Sequence, residues 1–203
     1  LGGPKNLEEV RPFLLELFRD REIIQLPFQP WLGPFIAKRR TRGVQELYEE
    51  IGGGSPILHW TEVQGRGMVE RLDRLSPETA PHEFYVAFRY IEPTSEDALR
   101  QMKADGVKRA VAFTQYQQFS CATTGSSLNE LWRAAGRLGL SREFEWSVID
   151  RWPTHPSFIE SMVRTVEQGL EKFPEEDRGD VLLLFSAHSL PLSIIDRGDP
   201  YPQ

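Results

Sequence analysis

The fold is decided by the stretch Val107–Tyr116, which reads VKRAVAFTQY, and by the elements that come after it along the chain. Its β-branched and aromatic residues are typical of a strand, and it begins just after Gly106, which ends a helical pattern. A further helix is predicted to begin at the capping-box sequence Ser127–Glu130, and a further strand occupies Glu145–Ile149. Strand, helix and strand in this order predict a parallel βαβ unit.

The same alternation continues on both sides of this unit. Two further strands are predicted at Phe84–Tyr90 and Val181–Phe185. The strand at Val181–Phe185 is apolar on both faces, which is typical of a buried central strand in a parallel sheet. Apolar residues at helical spacing predict helices over 7–19, 35–50, 58–75, 94–105 and 156–170. The predicted fold class is therefore α/β, with a doubly wound parallel sheet.

Composition excludes several classes of protein. The 203 residues are 39% hydrophobic and 27% charged, which is ordinary for a globular protein and too apolar for a disordered one. The net charge of −6 argues against a nucleic-acid partner, because such binders carry a basic excess. The single cysteine, Cys121, excludes an internal disulfide and any zinc site built from several thiolates. No apolar run approaches the roughly eighteen residues of a membrane-spanning helix.

Aromatic and cationic residues follow each predicted strand. Ligands of open α/β sheets bind beyond the carboxyl ends of the strands, and these ends carry Arg89 with Tyr90, then Tyr116, Trp152 and His188. Aromatic rings and guanidinium groups suit a flat aromatic ligand that bears negative charges. For any one of these residues alone, the alternative is that it only closes off a strand end.

Of the four histidines, His188 is the strongest candidate for chemistry. The apolar residues 182–185 before it are expected to be buried and to carry the imidazole into a cleft. An imidazole in such a place accepts a proton or binds a metal, and the alternative is a hydrogen-bonded core histidine. His59 and His82 are expected at the surface, and His155 at the start of a helix.

The segment 23–40 is apolar and aromatic, contains three prolines and ends in Lys38-Arg39-Arg40. The prolines argue against one long helix, so we expect an apolar lip that rests on a membrane interface or covers an apolar ligand. A loop folded back on its own core is the alternative. The sequence Gly52–Pro56 would let a backbone approach an anionic group, and it is equally typical of a simple turn.

Taken together, these motifs resemble the ferrochelatase family, and in particular its eukaryotic mitochondrial type. The clearest match is Phe185–Pro191, which reads FSAHSLP. Further matches occur, in the family's order, at 2–4, 36–41, 52–56, 88–90, 113–116, 123–127, 150–154 and 197–202.

The resemblance implies a lyase that inserts Fe²⁺ into protoporphyrin IX, the last step of haem biosynthesis, with loss of two pyrrole protons. His188 would accept these protons or ligate the iron. The residues that would border the porphyrin are Leu1, Arg40, Ser55, Arg89, Tyr90, Tyr116 and Trp152. The alternative is a porphyrin- or haem-binding module without turnover. A hydrolase that uses His188 with a serine is less well supported, because the sequence Gly-x-Ser-x-Gly is absent.

The resemblance also implies the setting of the protein. The lip at 23–40 would face a membrane, the protein would be a homodimer, and it would lie on the matrix side of the mitochondrial inner membrane. Cys121 matches one ligand of a [2Fe–2S] cluster, whose other three cysteines do not occur in this chain. Residues 1–150 would form a Rossmann-like chelatase lobe without its first strand, and 151–203 would begin a second, similar lobe. A chain cut in this way is expected to be inactive alone.

Overall fold

The computed structural model describes residues 1–202 and, within them, every side chain except that of Ser193. Residues 1–111 with 125–147 form one compact unit, and residues 112–124 with those from 148 onward form another. The predicted lobe boundary at residue 150 stays a prediction. In chain order the helices and strands are α1 (Val10–Arg19), α2 (Gln29–Glu50), α3 (Ile57–Leu75), α4 (Ser95–Ala104), β1 (Arg109–Phe113), α5 (Ser126–Arg137), β2 (Glu145–Ile149), α6 (Pro156–Leu170) and α7 (Leu192–Ile195).

The strands β1 and β2 form the sheet predicted around Val107–Tyr116. They pair as a two-stranded sheet, with the Glu145 N–H donating to Lys108 O at 2.7 Å and the Thr114 N–H donating to Ile149 O at 3.0 Å. The bonds advance in the same direction along both strands, so the pair is parallel, and α5 makes the crossover. The α/β class is confirmed to this extent, and the doubly wound sheet stays a prediction.

The predicted strand at Phe84–Tyr90 is wrong. Its structured part is a single parallel bridge between Phe88 and Thr94. Phe88 N–H donates to Pro93 O at 2.8 Å, and the N–H groups of the next two residues both point to Leu1 O. Because a turn and the first residue of the chain take these donors, they are not available for a sheet ladder.

The predicted strand at Val181–Phe185 is wrong as well. Residues 181–190 have no regular secondary structure, and the side chains of Leu184 and Phe185 are 89% and 82% exposed. A strand needs a neighbour that pairs with its backbone. Among the described residues, β1 and β2 pair only with each other, so this apolar segment pairs with neither strand.

Helix α2 starts earlier than the prolines of the lip predict. It begins at Gln29, has Pro30 in its first turn and continues through Pro34. A proline in the first turn costs no hydrogen bond, because the N–H it lacks would have no partner there. The buried Gln29 side chain fixes this helix start, since its Nε2 donates to Phe18 O and to Ile24 O, both at 2.9 Å.

Two apolar clusters stabilise the first unit. The cluster between α1 and α2 is formed by Val10, Leu14, Phe18 and Ala37. The cluster around α4 and α5 is formed by Leu99, Met102, Ala134, Ala135, Leu140 and Phe144. Both helix pairs use the amphipathic faces that the sequence predicts. Among the described residues, no helix combines the length and the apolarity that crossing a membrane would need.

The starts of α4 and α5 differ in how their backbone donors are satisfied. Thr94 and Asp97 form a complete capping box at the start of α4. The capping box predicted at Ser127 is wrong, because α5 already begins at Ser126 and has no side-chain cap. A π-helical turn over Cys121–Gly125 runs directly into α5 and takes the place of a cap.

Candidate functional site

Arg89 is buried although it carries a charge. Its side chain is 7% exposed, and its Nη2 atom lies 2.5 Å from Asp20 Oδ2 and 2.7 Å from Glu22 Oε2. Its Nη1 atom is also buried and has no hydrogen-bond partner among the described residues. An unpaired buried donor costs about 1–3 kcal/mol, so the two ion pairs must outweigh this cost for Arg89 to stay buried.

Tyr90 shares one of these acids with Arg89. Its hydroxyl donates a hydrogen bond to Asp20, and the Arg89 guanidinium lies 5.4 Å from the centre of its ring. Phe13 of α1 meets the Tyr90 ring edge-on at 6.2 Å. Burial raises the pKa of Tyr90, and the hydrogen bond to Asp20 raises this pKa further. The phenol is therefore neutral at physiological pH and held in one orientation.

Glu22 joins this pair of residues to helix α5. It accepts hydrogen bonds from Arg133 and, at 3.4 Å, from Asn129 Nδ2. Burial alone would raise the pKa of Glu22, but the hydrogen bonds from Arg133 and Arg89 outweigh burial and keep this pKa below its ordinary value. The cluster thus contains two carboxylates and two guanidinium groups, whose charges balance.

Leu1 and Ser55 are both tied to the first residues of the chain. The carbonyl oxygen of Leu1 accepts the N–H of Arg89 at 3.3 Å and that of Tyr90 at 3.4 Å. The Ser55 N–H donates to Pro4 O at 2.7 Å. The structure therefore places Leu1 directly beside Arg89 and Tyr90. It places Ser55 beside Pro4, which is three residues after Leu1.

The turn before Ser55 depends on its glycines. Gly52 and Gly53 have φ angles of +104° and +89°, which side chains rarely allow. A Cβ atom on Gly54 would lie 2.1 Å from Lys5 O. The close backbone approach that the glycines permit is thus made to the chain itself.

Arg40 lies on the exposed side of α2. Its guanidinium is 5.8 Å from the ring centre of Phe18, a residue of α1. The side chain is exposed, so its charge is accessible to an anionic group. Arg40 is a surface cation of the α1–α2 pair.

Tyr116 and Trp152 meet around Thr114 in the second compact unit. The Trp152 Nε1 donates to Thr114 O at 2.9 Å, and the Tyr116 N–H donates to Thr114 Oγ1 at 3.2 Å. The Trp152 indole also contacts Phe113, at 6.0 Å between ring centres, and Phe158, at 5.3 Å. Both predicted residues are therefore held where β1 ends.

Cys121 sits beside a buried carboxylate. Asp199 Oδ2 accepts the Ser120 hydroxyl at 2.9 Å and the Cys121 N–H at 2.8 Å, while Oδ1 accepts the Tyr201 N–H at 3.0 Å. Burial alone would raise the pKa of Asp199, but these hydrogen bonds outweigh burial and lower it. Burial raises the pKa of the Cys121 thiol, and the charge of Asp199 raises it further.

This environment does not fit an iron–sulfur cluster held by the present residues. The thiolate is the form that binds metal, and burial together with the Asp199 charge outweighs the Arg197 charge and favours the Cys121 thiol. The chain has one cysteine, and the described residues include no group of three or more His, Cys, Asp or Glu side chains placed to hold a metal ion.

His188 is not buried at a strand end, and that part of its prediction is wrong. It lies in the irregular stretch 181–190, and both its own side chain and that of Phe185 are exposed. The apolar residues before it belong to no sheet in the part of the chain that the structure describes. The imidazole is therefore accessible to solvent.

The structure joins some of the predicted residues and reveals others. Arg89 and Tyr90 share one cluster, as Tyr116 and Trp152 share another. Sequence motifs did not identify the residues that support Arg89 and Tyr90, namely Asp20, Glu22 and Arg133. No local sequence signal marked them, because Asp20 and Glu22 lie at a turn after α1 and meet Arg89 only in the folded chain.

The chain matches known proteins along its whole length. The family model described as Ferrochelatase matches residues 1–203. The chain is 55% identical over 203 residues to "Ferrochelatase, mitochondrial" of Gallus gallus, 56% to that of Xenopus laevis and 55% to that of Homo sapiens. Each alignment covers 100% of this chain and 50%, 49% and 48% of the respective relative. The chain thus spans about half the length of the curated relatives it matches. These matches confirm the resemblance seen in the motifs, and the chain belongs to the ferrochelatase family.

Proposed function

We propose that the protein carrying this sequence is a ferrochelatase, a lyase that inserts Fe²⁺ into protoporphyrin IX to make protohaem. The observation that carries the proposal is the 55% identity to mitochondrial ferrochelatases over all 203 residues of the chain. In the reaction one Fe²⁺ replaces two pyrrole N–H protons, so one metalloporphyrin and two protons are formed. The protein must bind a flat dianion and receive those protons.

The aromatic and cationic residues supply the first requirement. The porphyrin carries two propionate carboxylates, and guanidinium groups bind carboxylates through paired hydrogen bonds. Arg40 is exposed and offers such a group. Tyr116 and Trp152 offer aromatic surface for the macrocycle, while Leu1 and Ser55 would border it. Arg89 and Tyr90 would complete its contacts.

His188 supplies the second requirement. In this proposal its imidazole accepts a pyrrole proton and passes it to solvent, to which the side chain is open. Direct ligation of the incoming iron is the other role that the resemblance implies for His188. Both roles need an accessible ring nitrogen, which the observed exposure supports.

Metal insertion into porphyrin tests the proposal. The full-length protein that carries this sequence is mixed with protoporphyrin IX and Fe²⁺ or Zn²⁺, and the absorbance bands of the metalloporphyrin are followed. We expect turnover, and we expect His188→Ala to lower kcat by at least about 10²-fold, as for loss of a general base. The control is His59→Ala, which removes an exposed imidazole on α3. A wild-type protein that binds porphyrin without turnover would contradict the proposal and favour a porphyrin- or haem-binding module.

We also propose that the lip at 23–40 contacts a membrane surface. Phe28, Trp31 and Phe35 are 78%, 75% and 61% exposed, and Trp31 and Phe35 lie one turn apart on α2. Lys38 and Arg39 follow and are also exposed. Aromatic side chains beside basic ones are typical of segments that bind anionic lipid interfaces.

Vesicle sedimentation tests this contact. With vesicles that contain anionic lipid, replacing Trp31 and Phe35 by serine should lower the bound fraction. Trp60→Ser is the matched control, because Trp60 is a tryptophan of α3 that is 56% exposed. Equal binding of the lip variant and the control would contradict the proposal.

The names of the relatives support a mitochondrial location for this protein, and we place it on the matrix side of the inner membrane. We further propose that it acts as a homodimer. Fractionation of mitochondria with protease protection tests the location. Sedimentation equilibrium of the full-length protein tests the dimer, and a monomer at micromolar concentration would contradict it.

A further inference from the structure

We propose that Asp20 and Glu22 are positioning residues for Arg89 and Tyr90, and that Arg133 fixes Glu22 in this role. The inference rests on the proposed function, in which Arg89 and Tyr90 contact the substrate. It assigns the placement of that pair to side chains that follow α1 and to one side chain of α5.

The geometry gives each carboxylate a distinct task. Asp20 is 10% exposed in its side chain and contacts both members of the pair, accepting the Tyr90 hydroxyl and Arg89 Nη2. Glu22 contacts the same Nη2 from its Oε2 atom, at 2.7 Å. Both carboxylates therefore bind Nη2 of Arg89. Because the guanidinium group is planar and rigid, fixing this nitrogen also limits the orientation of the other two.

Arg133 completes the arrangement from outside. It binds Glu22 Oε1, while Oε2 of the same carboxylate binds Arg89. A carboxylate that bridges two guanidinium groups has both oxygens engaged and little freedom to rotate. The Arg133 side chain is half exposed, so it can be changed with little disturbance of the core.

The Tyr90 hydroxyl gives a direct readout of positioning by Asp20. Asp20 accepts a hydrogen bond from the Tyr90 hydroxyl, and its charge disfavours the phenolate. Asp20→Asn keeps the shape of the side chain but removes that charge, so Tyr90 should ionise at lower pH. The ring signals of labelled tyrosine, followed by NMR over a pH titration and assigned with Tyr90→Phe, report this change without any substrate.

The experiment compares Asp20→Asn with Glu16→Gln in the full-length protein. Glu16 is the matched control, because it is an exposed carboxylate of α1 whose partner is Arg19. We expect Asp20→Asn to lower the pH of Tyr90 ionisation and to reduce kcat/KM for metal insertion by roughly 10–100-fold, as for a displaced positioning contact. Glu16→Gln should change neither quantity.

Variants of Glu22 and Arg133 keep the test decisive if Asp20→Asn does not fold. Glu22→Gln and Arg133→Gln should each reduce kcat/KM, and the double variant should lose little more than Glu22→Gln alone, because Arg133 acts through Glu22. Arg133→Lys should restore part of the rate lost in Arg133→Gln. Additive losses in the double variant would overturn the assigned role of Arg133.

The outcomes separate this inference from the proposed function. An unchanged Tyr90 titration in Asp20→Asn, whether or not the rate falls, would overturn the positioning role of Asp20. A wild-type protein without turnover would overturn the proposed function. Ionisation of Tyr90 at a lower pH in Asp20→Asn would, in that case, still support the Asp20–Tyr90 contact.

Discussion

The hydrogen bonds to Asp199 predict that Asp199→Asn changes both the stability of the chain and the reactivity of the Cys121 thiol. The two carboxylate oxygens of Asp199 accept three donors, from Ser120, Cys121 and Tyr201. In Asp199→Asn one oxygen is replaced by an amide NH₂ group, which cannot accept a hydrogen bond. Even when the remaining oxygen accepts from Ser120 and Cys121, the Tyr201 N–H faces that NH₂ group. The expected loss is about 1–3 kcal/mol of unfolding free energy.

The pH dependence of stability depends on the direction of the Asp199 pKa shift. Its pKa is lower in the folded chain than in the unfolded one, where an aspartate titrates near roughly 3.9. The carboxylate therefore stabilises the fold above this value, and the stabilisation is lost as the pH falls through the lower folded-state pKa. The Asn variant should lack this part of the acid sensitivity.

Urea unfolding and thiol labelling measure the two effects independently. Cys121 is the one cysteine of the chain, and loss of the Asp199 charge removes one of the influences that raise its pKa. Reaction with a chromogenic disulfide reagent at neutral pH should therefore be faster in Asp199→Asn than in wild type. The control is Asp196→Asn, because Asp196 is exposed. Equal stability and equal labelling rates in Asp199→Asn and this control would refute the reasoning.

Four further substitutions test the packing, the backbone conformation and one hydrogen bond. Leu99 is fully buried, so Leu99→Ala should lower the free energy of unfolding in urea by about 2–5 kcal/mol. If Leu99→Ala lost less unfolding free energy than Leu99→Met, the buried position of Leu99 would be contradicted. Gly54→Ala should lower the melting temperature, because the new Cβ would meet the carbonyl oxygen of Lys5. Gly67→Ala should stabilise α3 by about 0.5–1 kcal/mol, because nothing lies within 4 Å of the new Cβ. A more stable Gly54→Ala or a less stable Gly67→Ala would be inconsistent with these backbone positions. Trp152→Phe keeps an aromatic ring but loses the indole hydrogen bond, and should cost about 0.5–1.5 kcal/mol, measured against an exposed Trp60→Phe.

Local sequence patterns predicted the helices well. The apolar spacing of 58–75 and 156–170 predicted α3 and α6 to within one residue, because helical hydrogen bonds lie within the segment itself. The same reasoning failed for Phe84–Tyr90 and Val181–Phe185. A strand pattern describes the side chains, but whether a strand forms depends on a partner elsewhere in the chain.

The candidate site shows the same limit. Motifs identified Arg89 and Tyr90, but their acidic partners lie about seventy residues earlier in the sequence. Helical or strand spacing in the sequence does not connect Asp20 to Tyr90, because the two residues come into contact only when residues 88–90 pack beside the end of α1. The prolines of the lip misled for a different reason. Pro30 falls in the first turn, where proline fits, and α2 continues through Pro34 although a proline in a helix interior removes a backbone hydrogen bond.

The apolar run Val181–Phe185, exposed from Leu182 onward, has a consequence for how this chain behaves in concentrated solution. Five consecutive apolar residues, VLLLF, carry no charge and no proline, and the backbone is open to pairing with an identical segment of another molecule. Asp180 precedes the run and is the nearest charge that opposes such stacking. Self-association of the isolated 203-residue chain should therefore start at this segment, and Leu183→Lys should delay the onset of turbidity without affecting either apolar cluster of the first unit.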